Sequence, residues 1–168
     1  MTEEIYRVGI LTLSDKGSCG EREDESGALL TELISALGNV VRYQVIADDQ
    51  DKIVMMLKSW VDDLGLDLIL TTGGTGLSPR DVTPQATAAV IDYQVPGMAE
   101  AMRAASLEKT SRAMLSRGMV GVRQQTLIVN LPGSPKAVKE NLEVLLPVLP
   151  HALAKLNGDP ADCAVSED

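Results

Sequence analysis

Asp67-Leu68-Ile69-Leu70-Thr71-Thr72-Gly73-Gly74-Thr75-Gly76 decides the fold. Leu68, Ile69 and Leu70 follow one another without polar alternation, the pattern of a strand covered on both faces, as in a parallel sheet. A strand with one wet face would alternate instead. The glycine run that follows ends the strand in a tight turn.

Toward the start of the chain, residues 8–13 form another short apolar run, followed by a polar stretch, 14–27, that reads as a loop. Leu29, Leu30, Leu33, Ile34 and Leu37 then recur at helical spacing, with Gly38 and Asn39 as the stop. Residues 40–46 read as a second strand. Ile53, Val54, Leu57, Trp60, Val61 and Leu64 make one face of a helix starting around Asp49 and ending at Gly65. The order up to Thr72 is therefore βαβαβ.

Toward the end, Thr83 before Pro84 predicts a helix start, with the helix running to about Asp92. Pro96 and Gly97 interrupt, residues 97–107 are helical again, and 109–119 stay open between helix and loop. Residues 119–123 and 126–130, separated by Gln124 and Gln125, predict a hairpin that adds an antiparallel strand. Ser134 and Pro135 open the last long helix, which Pro147 and Pro150 kink or divide before Gly158 closes it. The predicted fold is α/β: a three-layer sandwich with a mostly parallel central sheet and an antiparallel edge element. One domain is expected over 1–158, with an acidic, disordered tail at 159–168.

The 168 residues suit one substantial core, and 45% hydrophobic with 23% charged residues is the balance of a globular protein. The beginning lacks a secretion signal and no run is long and apolar enough for a membrane span, so a cytoplasmic, non-membrane protein is expected. Cys19 and Cys163 lie far apart without metal-ligand spacing, so neither a disulfide framework nor structural zinc is implied. A net charge of −9 argues against nucleic acid as partner. Small phosphorylated ligands remain compatible with that charge, because backbone N–H groups and a divalent metal act at close range.

In a parallel sheet the loops after the strands gather at one edge, where ligands bind. Three qualify: residues 14–18, 72–76 and 130–135. Gly73-Gly74-Thr75-Gly76 can cradle a phosphate or a pterin ring, or can be only a strand-to-helix turn. It matches neither a Rossmann nor a Walker pattern. Ser134 with Lys136 at a helix start attracts an anion, or simply caps the helix. Asp48 and Asp81 can hold Mg2+ when substrate phosphates complete its shell, or can be turn acids. Arg80, beside Ser78, offsets phosphate charge or pairs with a neighbouring acid. The lone His151 is read as a surface or packing residue, and Trp60 and the methionines as core.

The stretch Leu70-Thr71-Thr72-Gly73-Gly74-Thr75-Gly76, continued by Pro79-Arg80-Asp81-Val82-Thr83-Pro84 and Ala86-Thr87, resembles the signature of the molybdopterin adenylyltransferases, the MogA/MoaB proteins. Leu13-Ser14-Asp15, Pro96-Gly97-Met98, Leu115-Ser116-Arg117 and Asn130-Leu131-Pro132-Gly133-Ser134-Pro135 match in the same order. The resemblance implies a homotrimer that binds molybdopterin and Mg-ATP and joins AMP to the molybdopterin phosphate with release of pyrophosphate. It also implies transient contact with the molybdate-inserting enzyme and no tightly bound organic cofactor. Asp48 and Asp81 match the family's acidic positions. Ser14, Asp15 and the glycine-bearing loops, including Asn130, Pro132 and Gly133, match its ligand-binding segments. Ala47 replaces the proline many relatives carry, and adjacent Asp48 and Asp49 are alternatives for the matched acid. A non-catalytic pterin-binding or scaffold protein of the same fold is the competing expectation.

Overall fold

The structure, a computed structural model, describes residues 5–160. The expected tail falls outside the described residues from 161 on, as does Cys163. Among the described residues no helix is long and apolar enough to cross a membrane.

The chain runs β1 (Tyr6–Leu13), a single helical turn α1 (Asp15–Ser18), α2 (Glu25–Leu33), β2 (Gly38–Ile46), α3 (Gln50–Asp62), β3 (Leu68–Thr72) and α4 (Thr83–Ala88). There follow β4 (Tyr93–Gln94), α5 (Pro96–Leu107), a 3-10 turn (Ser111–Leu115), β5 (Val120–Arg123), β6 (Thr126–Leu131), α6 (Pro135–Leu145) and α7 (Leu149–Leu156). The six-stranded sheet has the order β2-β1-β3-β6-β5-β4. Its first four strands in that order are parallel, while β5 runs antiparallel to β6 and β4 antiparallel to β5 at the edge.

β3 is buried at every position and lies between β1 and β6, as its unbroken apolar run requires. Its side chains part to two cores. Leu68 and Leu70 join Val8, Ile10, Leu127 and Val129 beneath the layer of α2, α5, α6 and α7. Ile69 joins Leu11, Ile128 and, from α3, Ile53, Leu57 and Trp60 on the other side. Each such fully buried Leu or Ile contributes on the order of 2 kcal/mol of hydrophobic stabilisation.

Several local expectations are corrected. The stretch 14–27 is not one loop: Asp24 caps α2, accepting from Gly27 N at 3.0 Å, so the helix begins earlier and ends at Leu33. Gly38 is the first residue of β2 rather than a helix stop, pressed so close to β1 that a Cβ there would lie 2.4 Å from Tyr6 O. Thr83 does not cap α4, because its hydroxyl donates to Gly73 O at 2.9 Å, and the helix ends at Ala88. β4 has no counterpart in the sequence reading; two exposed residues carry no periodicity to reveal it. Among the methionines, Met98 and Met102 are core while Met55 and Met114 are exposed. The hairpin, the divided final helix, buried Trp60 and exposed His151 agree with expectation.

Candidate active site

Strand register delivers four loops to one rim. Thr12, Thr72 and Leu131 lie side by side across β1, β3 and β6, and Leu13 pairs with Ile46 of β2. The chain therefore leaves the sheet at Ser14, Ala47, Gly73 and Pro132 on the same edge, the carboxyl edge where open α/β sheets place ligands. A cavity of about 370 Å³ opens there, and Ser14, Asp48, Gly73, Gly74, Asp81, Gly133 and Ser134 belong to its wall.

The glycines are required by close approach. Gly73 (φ +97°) and Gly74 (φ +67°) adopt conformations that disfavour a side chain. A Cβ on Gly73 would lie 2.4 Å from Leu13 O, and one on Gly74 would lie 3.1 Å from Asp48 Oδ1. The turn is held from both sides: Gly73 N donates to Leu131 O at 3.2 Å, and Thr72 Oγ1 donates to Pro132 O at 2.7 Å. Ser26 Oγ donates to Gly133 O at 2.8 Å and ties α2 to the third loop.

The two adjacent acids separate by role. Asp49 caps α3, accepting from Lys52 N at 3.1 Å, whereas Asp48 faces the cavity. Asp48 and Asp15 lock each other: Asp15 N donates to Asp48 Oδ2 and Asp48 N donates to Asp15 Oδ1, both at 3.0 Å. Arg80 grips Asp15 with two bonds, Nε to Oδ2 at 2.9 Å and Nη2 to Oδ1 at 2.8 Å. That pairing holds the Asp15 carboxyl below the usual carboxylate range, chiefly through the Arg80 hydrogen bond. The Asp48 carboxyl is pushed upward, first by burial and then by the negative charges of Asp15 and Asp81, partly offset by the Asp15 amide and Arg80. Asp81 accepts from Ser78 N at 2.9 Å through Oδ2.

Other expected site residues fall elsewhere. Asn130 is 1% exposed, and its Nδ2 donates to Thr71 and Thr87 hydroxyls at 3.0 and 2.9 Å, so it ties β6 to β3 and α4. Pro132 lines a separate cavity of about 200 Å³ bounded by α5 and α6. Thr75 is buried, while Gly76 and Ser78 shape the turn that holds Asp81. Arg80 is committed to Asp15, and Lys136 is exposed on α6 outside the cavity wall.

The sequence reading missed the wall made by residues 22–26, Asp24 above all. Its Oδ2 accepts from Thr12 Oγ1 at 2.6 Å and from the Tyr43 hydroxyl, and burial followed by this carboxylate pushes the Tyr43 phenol well above its ordinary range. Asp24 ahead of Glu25-Ser26-Gly27 was a legible helix cap; its place in the cavity was not. The wall combines backbone donors and a capped helix start, suited to phosphate, with two convergent carboxylates, suited to a hard cation. Among the described residues of the wall there is no histidine or cysteine; the one hydroxyl–carboxylate pair, Thr12 with Asp24, is shared with the Tyr43 hydroxyl.

The family described as "probable molybdopterin binding domain" matches residues 9–151. The molybdopterin adenylyltransferase of Helicobacter pylori strain J99 is 41% identical over 159 residues, covering 93% of this chain and 90% of the relative. Gephyrin of Dictyostelium discoideum is 42% identical over 169 residues, but this chain spans only 23% of its length. The crystal structure of the molybdopterin biosynthesis enzyme MoaB from Thermus thermophilus superposes with a TM-score of 0.88 at 52% identity, covering 94% of this chain and all of that one (100%). With the rim geometry and these likenesses together, the chain belongs to the molybdopterin-binding domain family of molybdenum cofactor biosynthesis proteins.

Proposed function

We propose that the protein is a molybdopterin adenylyltransferase: it transfers AMP from Mg-ATP to the phosphate of molybdopterin and releases pyrophosphate. The observation that carries this is the convergence of Ser14, Gly73-Gly74, Ser134, Asp48 and Asp81 on one cavity wall. The Helicobacter pylori relatives, matched over 93% of this chain and 90% of their own length, bear that activity in their names.

A molybdopterin phosphate oxygen forms a bond to the α-phosphorus of ATP as the bond to the bridging oxygen of pyrophosphate breaks. The nucleophile is already an anion, so the site needs no strong base. Repulsion between two anions is the obstacle, and alignment with charge compensation is the remedy. The backbone N–H of Gly74 and the Ser134-capped start of α6 would receive phosphate oxygens, the Gly73 N–H being taken by Leu131 O. Asp48 and Asp81 would hold Mg2+, which supplies positive charge between the phosphates. Their all-oxygen donor set fits that ion. Among the described residues no three His, Cys, Asp or Glu side chains gather as a metal site, so phosphate and water oxygens must complete the shell. Asp15, held by Arg80, orients Asp48. We further propose a cytoplasmic homotrimer that passes its product to the molybdate-inserting enzyme.

The test is incubation of the purified protein with molybdopterin, ATP and Mg2+, with chromatographic separation of products. Adenylylated molybdopterin and pyrophosphate in equal amounts are expected. Pyrophosphate appearing at the same rate without molybdopterin assigns the chain another acceptor, and molybdopterin binding with no product makes it a binding protein.

A further inference from the structure

The motif Leu115-Ser116-Arg117 lies outside the main cavity wall, yet Arg117 is bonded to the loop that carries Asp81 at several points. Its main-chain N donates to Thr75 O at 2.9 Å, its Nε to Gly76 O at 2.8 Å and its Nη2 to Asp81 O at 2.7 Å. Nη1 reaches Gln85 Oε1 on α4 at 3.1 Å. One guanidinium therefore spans the two ends of the turn 76–81. We propose that Arg117 is a positioning residue for the transfer reaction: it fixes the turn so that the Asp81 carboxylate stays beside Asp48. This rests on the adenylyl-transfer reading above.

Thr83 ties the far flank back to the glycine turn, its N donating to Gly74 O at 3.2 Å and its Oγ1 to Gly73 O at 2.9 Å, but these bonds lie outside residues 76–81. Residues 77–80 are all exposed, Leu77 to 64%, so no buried side chain anchors the segment. Its internal bonds, Asp81 N to Ser78 O and Ser78 N to Asp81 Oδ2, each at 2.9 Å, fix its shape but not its place on the sheet. Arg80 also binds Asp15 through two hydrogen bonds, but that pair is solvent-exposed, with the Arg80 side chain 61% accessible, so it adds to the hold on the turn without replacing the part-buried bonds of Arg117. The carbonyls taken by Arg117 are part-buried, where a charge-assisted bond is stronger.

Arg117 is itself held firmly. It follows the 3-10 turn and precedes Gly118, whose carbonyl accepts from Arg103 Nη1 of α5 at 2.8 Å. A Cβ on Gly118 would stand 3.1 Å from Asn130 O, so the segment lies directly against β6. The bonds thus run from α5 and β6 through Arg117 to the turn. A lysine, a point charge without the planar fork, cannot meet Gly76, Asp81 and Gln85 together.

Arg117→Lys and Arg117→Ala are compared with Gln85→Ala, which removes only the outermost bond. Amide hydrogen exchange is followed by mass spectrometry on segments 76–81 and 126–131, and transfer kinetics are measured against ATP and Mg2+. Exchange at 76–81 should quicken at least about tenfold in both Arg117 variants, the loss of charged hydrogen bonds being worth that much or more, while 126–131 stays protected. Turnover should fall by at least roughly tenfold in kcat with a smaller change in KM for ATP, the signature of a misplaced group. The Mg2+ concentration for half-activity should rise, and Gln85→Ala should stay within about threefold of the parent in kcat.

Unchanged exchange at 76–81 in both Arg117 variants overturns the proposal, as does full turnover in Arg117→Lys. If Arg117→Ala does not fold, Arg117→Lys decides alone. Should the unaltered protein transfer no adenylyl group, the exchange measurement still decides whether Arg117 fixes the turn, and the failure belongs to the functional reading.

Discussion

Gly73→Ala tests the close approach on which the rim depends. At φ +97° an L-residue is strained by about 1–2 kcal/mol. The added methyl would lie 2.4 Å from Leu13 O. That neighbour is backbone at the end of β1, hydrogen-bonded into the sheet between β2 and β3, so strand β1 or the turn must shift, at about 1–3 kcal/mol by analogy with overpacked cores. Both neighbouring bonds, to Leu131 O and from Thr83 Oγ1, move with it. A total loss of about 3 kcal/mol follows, and with a urea slope near 2 kcal/mol per molar the unfolding midpoint drops by about 1.5 M. Trp60, the one tryptophan and 3% exposed, reports unfolding by fluorescence. Gly97→Ala is the control, since a methyl there meets no atom within 4 Å. Its midpoint should be unchanged or rise by up to about 0.5 M. A Gly73→Ala midpoint within about 0.3 M of the parent refutes the packing argument.

Asp81→Asn should lower turnover by at least about a hundredfold with the urea midpoint preserved, as expected for a residue that acts on charge at the reacting phosphates; unaltered turnover removes Asp81 from the mechanism. Asp49→Ala should cost about 1 kcal/mol in urea unfolding through the lost α3 cap while leaving turnover within a fewfold, separating it from Asp48. The Asp62 carboxyl is held below its ordinary value, first by its hydrogen bond from Arg123, so its stabilisation is present above pH 3.8 and is lost as pH falls through the folded value. Urea midpoints of Asp62→Asn and the parent should accordingly differ near pH 6 and converge in acid; a gap that widens in acid contradicts the sign. The Tyr43 phenol, raised by burial and by Asp24, should ionise well above pH 10.0, visible as a late step in phenolate absorbance that Tyr43→Phe abolishes.

Elements with strong local signals were legible without coordinates. Leu68-Ile69-Leu70 required cover on both faces, and β3 has it. Gln124-Gln125 between two short runs made the hairpin, and Pro147 with Pro150 divided the last helix. Where two short-range readings competed, sequence chose poorly. Gly38 looked like a helix stop because glycine often is one, but close contact with Tyr6 makes it strand. Thr83 looked like a cap because threonine before proline often is one, yet its hydroxyl serves Gly73 across the rim.

The sequence by itself determined the alternation of buried strands and amphipathic helices, hence a mostly parallel sheet, and the family signature around Gly73 and Asp81. Periodicity and turn chemistry act over a few residues, so they can be read from neighbours in the chain. Only the tertiary structure decided that Asp48 rather than Asp49 faces the cavity, that Arg80 is bound to Asp15, that Asn130 is buried and that Arg117 grips the Asp81 turn. Each of those depends on strand register and on hydrogen bonds between residues far apart in the chain. Such bonds leave no local pattern, because the partner that makes a side chain structural or available to ligand comes from another strand.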